Sequence, residues 1–113
     1  MTFNELKSFY SEHFSLGGIN TVDGRSAIEN KFILISLIAH IYSKTKPKHP
    51  DLTYYSLIYK ICNNMGFDEN FIKGLAIIVE DFAYGCVEFP TFGLKGKDIL
   101  TEIQKILKSW LPF

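Results

Sequence analysis

Apolar residues recur along this chain at spacings of three and four, the period of helices buried on one side. From about Thr2 to Phe14, the residues Phe3, Leu6, Tyr10 and Phe14 line one face, and Thr2 with Glu5 forms a capping box at its start. A glycine-rich loop, SLGGINTVDG, separates this segment from the next. Ser26 and Glu29 repeat the capping box and open a helix to about Lys44. Along that helix the polar residues Glu29, Ser36, His40 and Ser43 fall on one narrow strip, and nearly every other side is apolar. A helix patterned in this way is packed by neighbours on most faces and belongs at the centre of a domain.

Two prolines in KTKPKHPD end the central helix, because proline can neither donate the next hydrogen bond nor fit the turn before it. Thr53 is the expected N-cap of the next helix, with Tyr54, Leu57, Ile58, Ile61, Cys62 and Met65 as its apolar stripe and Gly66 as its stop. Asp68 opens a fourth helix reaching about Tyr84, with Phe71, Ile72, Leu75, Ile78, Val79 and Phe82 on its core face. A fifth follows Gly96, with Ile99, Leu100, Ile103, Ile106, Leu107, Trp110 and Leu111 as its stripe. A short strand over 86–89 has the right alternation, but the sequence offers it nothing to pair with. The pattern predicts an all-α fold: a compact bundle of about five helices with helix 26–44 central, in one domain spanning 1–113.

Composition sharpens this. The chain has 113 residues, of which 47% are hydrophobic and 15% aromatic. So small a domain cannot hide all of that, and apolar side chains left outside mark a partner or self-association site when they cluster. Twelve basic and twelve acidic residues leave no net charge, hence no global field for nucleic acid or an anionic membrane. Only Arg25 among the basic residues is arginine, which disfavours readout of bases and phosphates by its planar fork. The lysine bias, with many Ile, Asn and Tyr, suits an AT-rich genome. The longest apolar run, Phe32 to Tyr42, is eleven residues against the roughly 20 that a membrane span needs. The start of the chain is polar and mixed in charge, unlike a secretory signal, and two cysteines make no disulfide framework. A reducing cytoplasm is the expected location.

Candidate chemistry is sparse. Ser36, His40 and Glu29 share a helix face, but a catalytic triad draws its members from different elements and needs an oxyanion hole. The plain reading is a polar strip with Ser36 bonded back to a carbonyl. Cys86 follows a helix C-terminus near Glu80, Asp81 and Glu88, where dipole and carboxylates both disfavour a thiolate. Cys62 belongs to a core stripe. The three histidines are scattered, no metal-ligand spacing occurs, and no phosphate-binding glycine motif is present. No catalytic residue, metal or cofactor is assigned, and the chain reads as a non-enzyme.

Two binding features remain. The first is FAYGCVEFPTFG, residues 82–93, which follows Glu80-Asp81. Over residues 68–88 there are five acids and one lysine. If some of its aromatics stay outside, Tyr84, Phe89 and Phe92, with Trp110 and Phe113 of the tail and the acids Glu80, Asp81 and Glu88, form a surface for another protein or a second copy. The bland reading folds Phe89 and Phe92 inward as a lid. The second feature is basic: Lys44, Lys46 and Lys48 in the connector 44–49, with Tyr54 and Tyr55 beside them, where aromatics between cations can stack bases. Residues 53–79 also match the spacing of a helix-turn-helix corner, although Asp68 and Glu69 would meet phosphate at the head of its second helix. The favoured expectation is a small non-enzymatic interaction or assembly protein, homo-oligomeric or bound to another protein and away from membranes. Its size and lysine bias suit a phage or mobile-element product. The alternative is a nucleic-acid-associated regulator using the corner or the lysines.

Overall fold

Eight consecutive buried residues, Phe32 to Ala39, mark the centre of the molecule. They lie on α1, Ala27–Thr45, the longest helix of the computed structural model, which describes residues 5, 27–85 and 88–109. No amphipathic surface helix buries eight residues in a row, since its outer face would surface twice in that span. The helix packs on all three others: α2, Tyr54–Ile61; α3, Glu69–Tyr84; and α4, Lys97–Lys108. α2 lies chiefly against α3, making a helix pair on one flank of α1. Among the described residues there are four helices and no strand, so the fold is all-α. Segment 2–14, expected as a further helix, lies outside the described residues except for Glu5, which is helical and exposed. Ser26, Cys86, Val87, Trp110, Leu111 and Phe113 also lie outside them.

The helix starts follow their caps. Thr53 Oγ1 accepts from the Ser56 N–H at 3.0 Å, and the Ser56 hydroxyl accepts from the Thr53 N–H at 3.1 Å, a reciprocal box. Asp68 Oδ1 accepts from the Phe71 N–H at 2.8 Å. α2 stops a turn sooner than its apolar stripe implies. The expectation placed its end at Met65, but the helix closes at Ile61 and residues 62–66 form turns. Asn63-Asn64 explains the difference: asparagine is a poor helix former, and Asn64 adopts a left-handed φ of 65°. Cys62 stays buried and Met65 half-buried, so the stripe keeps its inward side without the helix.

The core joins all four helices. Leu34, Ile35, Leu37 and Ile38 of α1 meet Ile58 of α2, Leu75 and Val79 of α3, and Ile103, Ile106 and Leu107 of α4 in one buried cluster. Phe82, near the end of α3, is 2% exposed and its ring lies 5.9 Å from that of Phe32. Two loops set the outer surface: 46–53, between α1 and α2, and the connection from α3 to α4 that contains residues 88–96.

Candidate functional site

α3 carries more apolar residues than one inward stripe can hold. Ile77-Ile78-Val79 is a run of three, and on a helix three successive residues span about 200°, so one must turn outward. Val79 is buried and Ile78 half-buried, while Ile77 is 61% exposed. Two turns on, Tyr84 is 95% exposed. Glu80 and Asp81 are exposed on the same side, at i+3 and i+4 from Ile77. The outer face of α3 is therefore an apolar ridge of Ile77 and Tyr84 flanked by two carboxylates. No lysine or arginine occurs from residue 74 to residue 94.

Beside this ridge the α2–α3 junction opens into clefts. One, of about 350 Å³, is lined by Tyr54, Tyr55, Glu69, Lys73, Ile77 and Glu80 among others. A second, of about 650 Å³, is lined by Tyr55, Tyr59, Lys60, Phe67, Glu69 and Ile72 among others. They share Tyr55 and Glu69, so an aromatic-walled trough runs beside the ridge. The Tyr55 hydroxyl donates to Glu69 Oε1 at 3.3 Å, and Lys73 pairs with the same carboxylate oxygen at 3.3 Å. Tyr59, 53% exposed, stands at the far end.

The loop 88–96 divides its two phenylalanines. Phe89 is half-buried and packs against the core. Phe92 is 48% exposed. The division has two causes. Ser36, fully buried on α1, donates its hydroxyl to the Pro90 carbonyl at 2.7 Å and holds the chain inward there. Residues 91–94 then reverse in a tight turn, with the Leu94 N–H donating to the Thr91 carbonyl at 2.9 Å. Its central residues, Phe92 and Gly93, have φ of 55° and 81°, the signs of a type I′ turn. Pro90 stays outside the central pair because its fixed negative φ cannot enter the left-handed region, and Gly93 is the natural second position. Phenylalanine in the left-handed region costs about 1 kcal/mol or more, and such strain is retained where the surrounding structure or a function requires it.

Six of the eight residues expected at a partner surface have a place. Tyr84, Phe92, Glu80, Asp81 and Glu88 are at the surface, Phe89 is turned inward and half-buried, and Trp110 and Phe113 lie outside the described residues. Ile77, Tyr59 and the trough were missed in the sequence. The Ile-Ile-Val run was the available signal for Ile77, whereas the trough depends on how α2 docks on α3.

The basic connector is organised differently from its sequence. Lys44 and Lys48 are exposed, but Lys46 folds back: its ammonium donates to the Leu52 carbonyl at 2.7 Å and lies 5.8 Å from the Tyr42 ring centre. Tyr54 stacks on Tyr42 at 3.7 Å, with the planes 18° apart. Tyr55 turns toward Glu69. The aromatics are thus engaged within the protein rather than standing between the lysines. At the corner formed by α2 and α3, Asp68 caps α3 and Glu69 lies in its first turn, so carboxylates occupy the site where a groove-reading helix would approach phosphate.

The catalytic candidates are likewise positioned. The Ser36 proton goes to Pro90, 54 positions away, not back along its own helix as expected, and this leaves the hydroxyl buried as a tether. Cys62 is buried. Asn30 and Lys31, unmarked in the sequence pattern, are also buried on α1, and burial pushes the Lys31 ammonium pKa down. Among the described residues no group of three His, Cys, Asp or Glu could hold a metal, and no helix is long and apolar enough to cross a membrane. Comparison with protein-family models, with curated proteins and with solved structures found no match to this chain.

Two weak acids, buried Cys62 and half-buried Tyr54, tie the fold to pH. Burial pushes the Cys62 thiol from 9.0 up to about 11. Burial, aided by Tyr42 and Glu80, pushes the Tyr54 phenol from 10.0 up to about 12. Both groups hold their protons more tightly when folded, so their contribution is complete below the unfolded pKa and is lost as pH rises through the folded one. The urea midpoint is expected to hold up to about pH 9 and then decline between pH 9 and 12. Cys62→Ala should remove the earlier part of that decline. A midpoint unchanged at pH 11 in the parent protein would contradict this burial.

Proposed function

We propose that this chain is a small non-enzymatic interaction protein whose contact surface is the outer face of α3, continued by Phe92 and bordered by the α2–α3 trough. The ridge supports this most directly. A large aromatic and an isoleucine stand one heptad apart in solvent, beside two carboxylates, and the chain carries no lysine or arginine from residue 74 to residue 94. A monomer working alone gains nothing from exposing Tyr84 at 95% and Ile77 at 61% together. Rigid aromatics contribute contact area at low entropic cost, and acids at the rim set orientation and choice of partner. The strained Phe92 adds a third outward apolar group. The same reading counts segment 2–14 as a fifth helix and places the protein in the cytoplasm, with a phage or mobile element as its source.

The test is association measured by size-exclusion light scattering, with co-purification from the native host. Ile77→Asp combined with Tyr84→Ser should abolish assembly and partner retention while leaving the helical circular-dichroism signal unchanged. Phe92→Gly should weaken association and at the same time stabilise the fold by roughly 1 kcal/mol, because glycine occupies the left-handed region freely. If the double variant keeps every association of the parent protein, the surface lies elsewhere.

A further inference from the structure

Zero net charge conceals a separation of charge between two helix faces. On α3 the exposed acids Glu80 and Asp81 join no ion pair among the described residues, and they flank the ridge of Ile77 and Tyr84. On α4 the exposed residues Lys97, Leu100, Thr101 and Lys108, with half-buried Gln104, recur at helical spacing on one face. That face holds one apolar side chain, Leu100, which the sequence stripe placed inward but which is 41% exposed, because it follows Ile99 by 100° and turns off the buried side. From residue 94 to 109 there are four lysines and two acids. One of the acids, Glu102, is buried and holds Lys105 at 3.0 Å, which leaves Lys95 just before α4 and Lys97 and Lys108 on it to carry the outward charge, with Asp98 at the margin. α3 and α4 both pack on α1 and make little contact with one another, so within one copy these faces do not neutralise each other.

We infer that the occupant of the α3 ridge is a second copy of this chain, which presents the basic outer face of α4. The inference rests on the ridge being an interaction surface, and it names what covers it. The match has an apolar and an ionic part. Ile77 and Tyr84 are ~10 Å apart along α3, wide enough to seat Leu100 between them. Lys97 and Lys108 lie ~4 Å and ~12 Å along α4 from Leu100, and their long side chains reach carboxylates on either side of the ridge. Lys44, in the last turn of α1, and Lys48 are also exposed, but Pro47 and Pro50 interrupt the chain beyond Thr45, so the two share no helix face to lay along α3. The contact joins different faces of the two copies. It therefore closes into a symmetric particle or extends into a chain of copies, according to the rotation between them.

Sedimentation equilibrium from micromolar to millimolar protein, at low and at physiological salt, tests this. The parent protein is expected to exceed its 13.0 kDa chain mass, more so at low salt. Glu80→Lys with Asp81→Lys, and separately Lys97→Glu with Lys108→Glu, should each weaken assembly by about tenfold or more. All four changes in one chain should restore it, because the complementarity is then inverted. Lys44→Glu with Lys48→Glu should leave it unchanged. A parent protein that stays at 13.0 kDa throughout overturns the inference, as does assembly indifferent to the α3 and α4 reversals or unrestored by the fourfold change. If the parent stays monomeric but retains a host protein that Ile77→Asp with Tyr84→Ser releases, the second copy is excluded and the α3 surface stands.

Discussion

Phe82→Ala is expected to remove about 3–5 kcal/mol of stability, the largest effect of any single substitution considered. Phe82 is 2% exposed, near the C-terminal end of α3, and its ring meets Phe32 of the central helix at 5.9 Å with a 50° tilt. That geometry adds an aromatic contact to the burial of the whole side chain. Alanine would leave a cavity where α3 leans on α1, and Val79 and Leu75, one and two turns back, are already packed into the same cluster. A domain of this size holds only about 5–15 kcal/mol in total, so this single change removes a large share of it. Chemical denaturation followed by circular dichroism measures it. A loss below about 1 kcal/mol would mean that α3 does not depend on this contact.

Ser36→Ala carries the second large effect, about 1–3 kcal/mol, and it reaches the surface. The hydroxyl is fully buried and donates to Pro90 at 2.7 Å, across 54 positions of sequence. Removing it leaves the partly buried Pro90 carbonyl without that donor, and the penalty includes the desolvation of that group besides the modest net value of one hydrogen bond. The connection from α3 to α4 should loosen where it is tethered. Phe89 would lose its fixed place on the core, and the outward setting of Phe92 would blur with it. Hydrogen exchange should read this as reduced protection at Leu94, whose amide closes the 91–94 turn, with α2 unaffected. Uniform loss of protection throughout the molecule would identify Ser36 as a general stability residue and not a tether of the loop.

Much of the fold is legible in the sequence for local reasons. Thr53 and Asp68 announce helix starts because their side chains satisfy amides that the helix leaves open. The central helix is legible because its polar residues occupy so narrow a strip. Ser36 shows where such reasoning ends. Its position on that strip is visible, yet its partner arrives from beyond two further helices, and no spacing rule names Pro90. The same holds for Phe89 and Phe92. Both are aromatics in one short loop, and their opposite fates follow from that tether and from the sign of φ at residue 92. Lys46 and Tyr54 illustrate a different limit. Their types suggest an open cation–aromatic surface, but the loop between them folds each onto Leu52 or Tyr42. Ile77 was within reach, since a run of three β-branched residues on a helix with a full inward stripe must expose one of them.

The central claim, that the outer face of α3 is where this protein meets its partner, is tested most directly at the side chains themselves. Hydroxyl-radical footprinting of the dissociated and the assembled protein reports the solvent accessibility of Ile77 and Tyr84 individually. Both are expected to react readily when the chain is alone, Tyr84 most of all at 95% exposure, and both to be protected on assembly. Equal reactivity of Tyr84 in the two states, with protection appearing on another face, would contradict it.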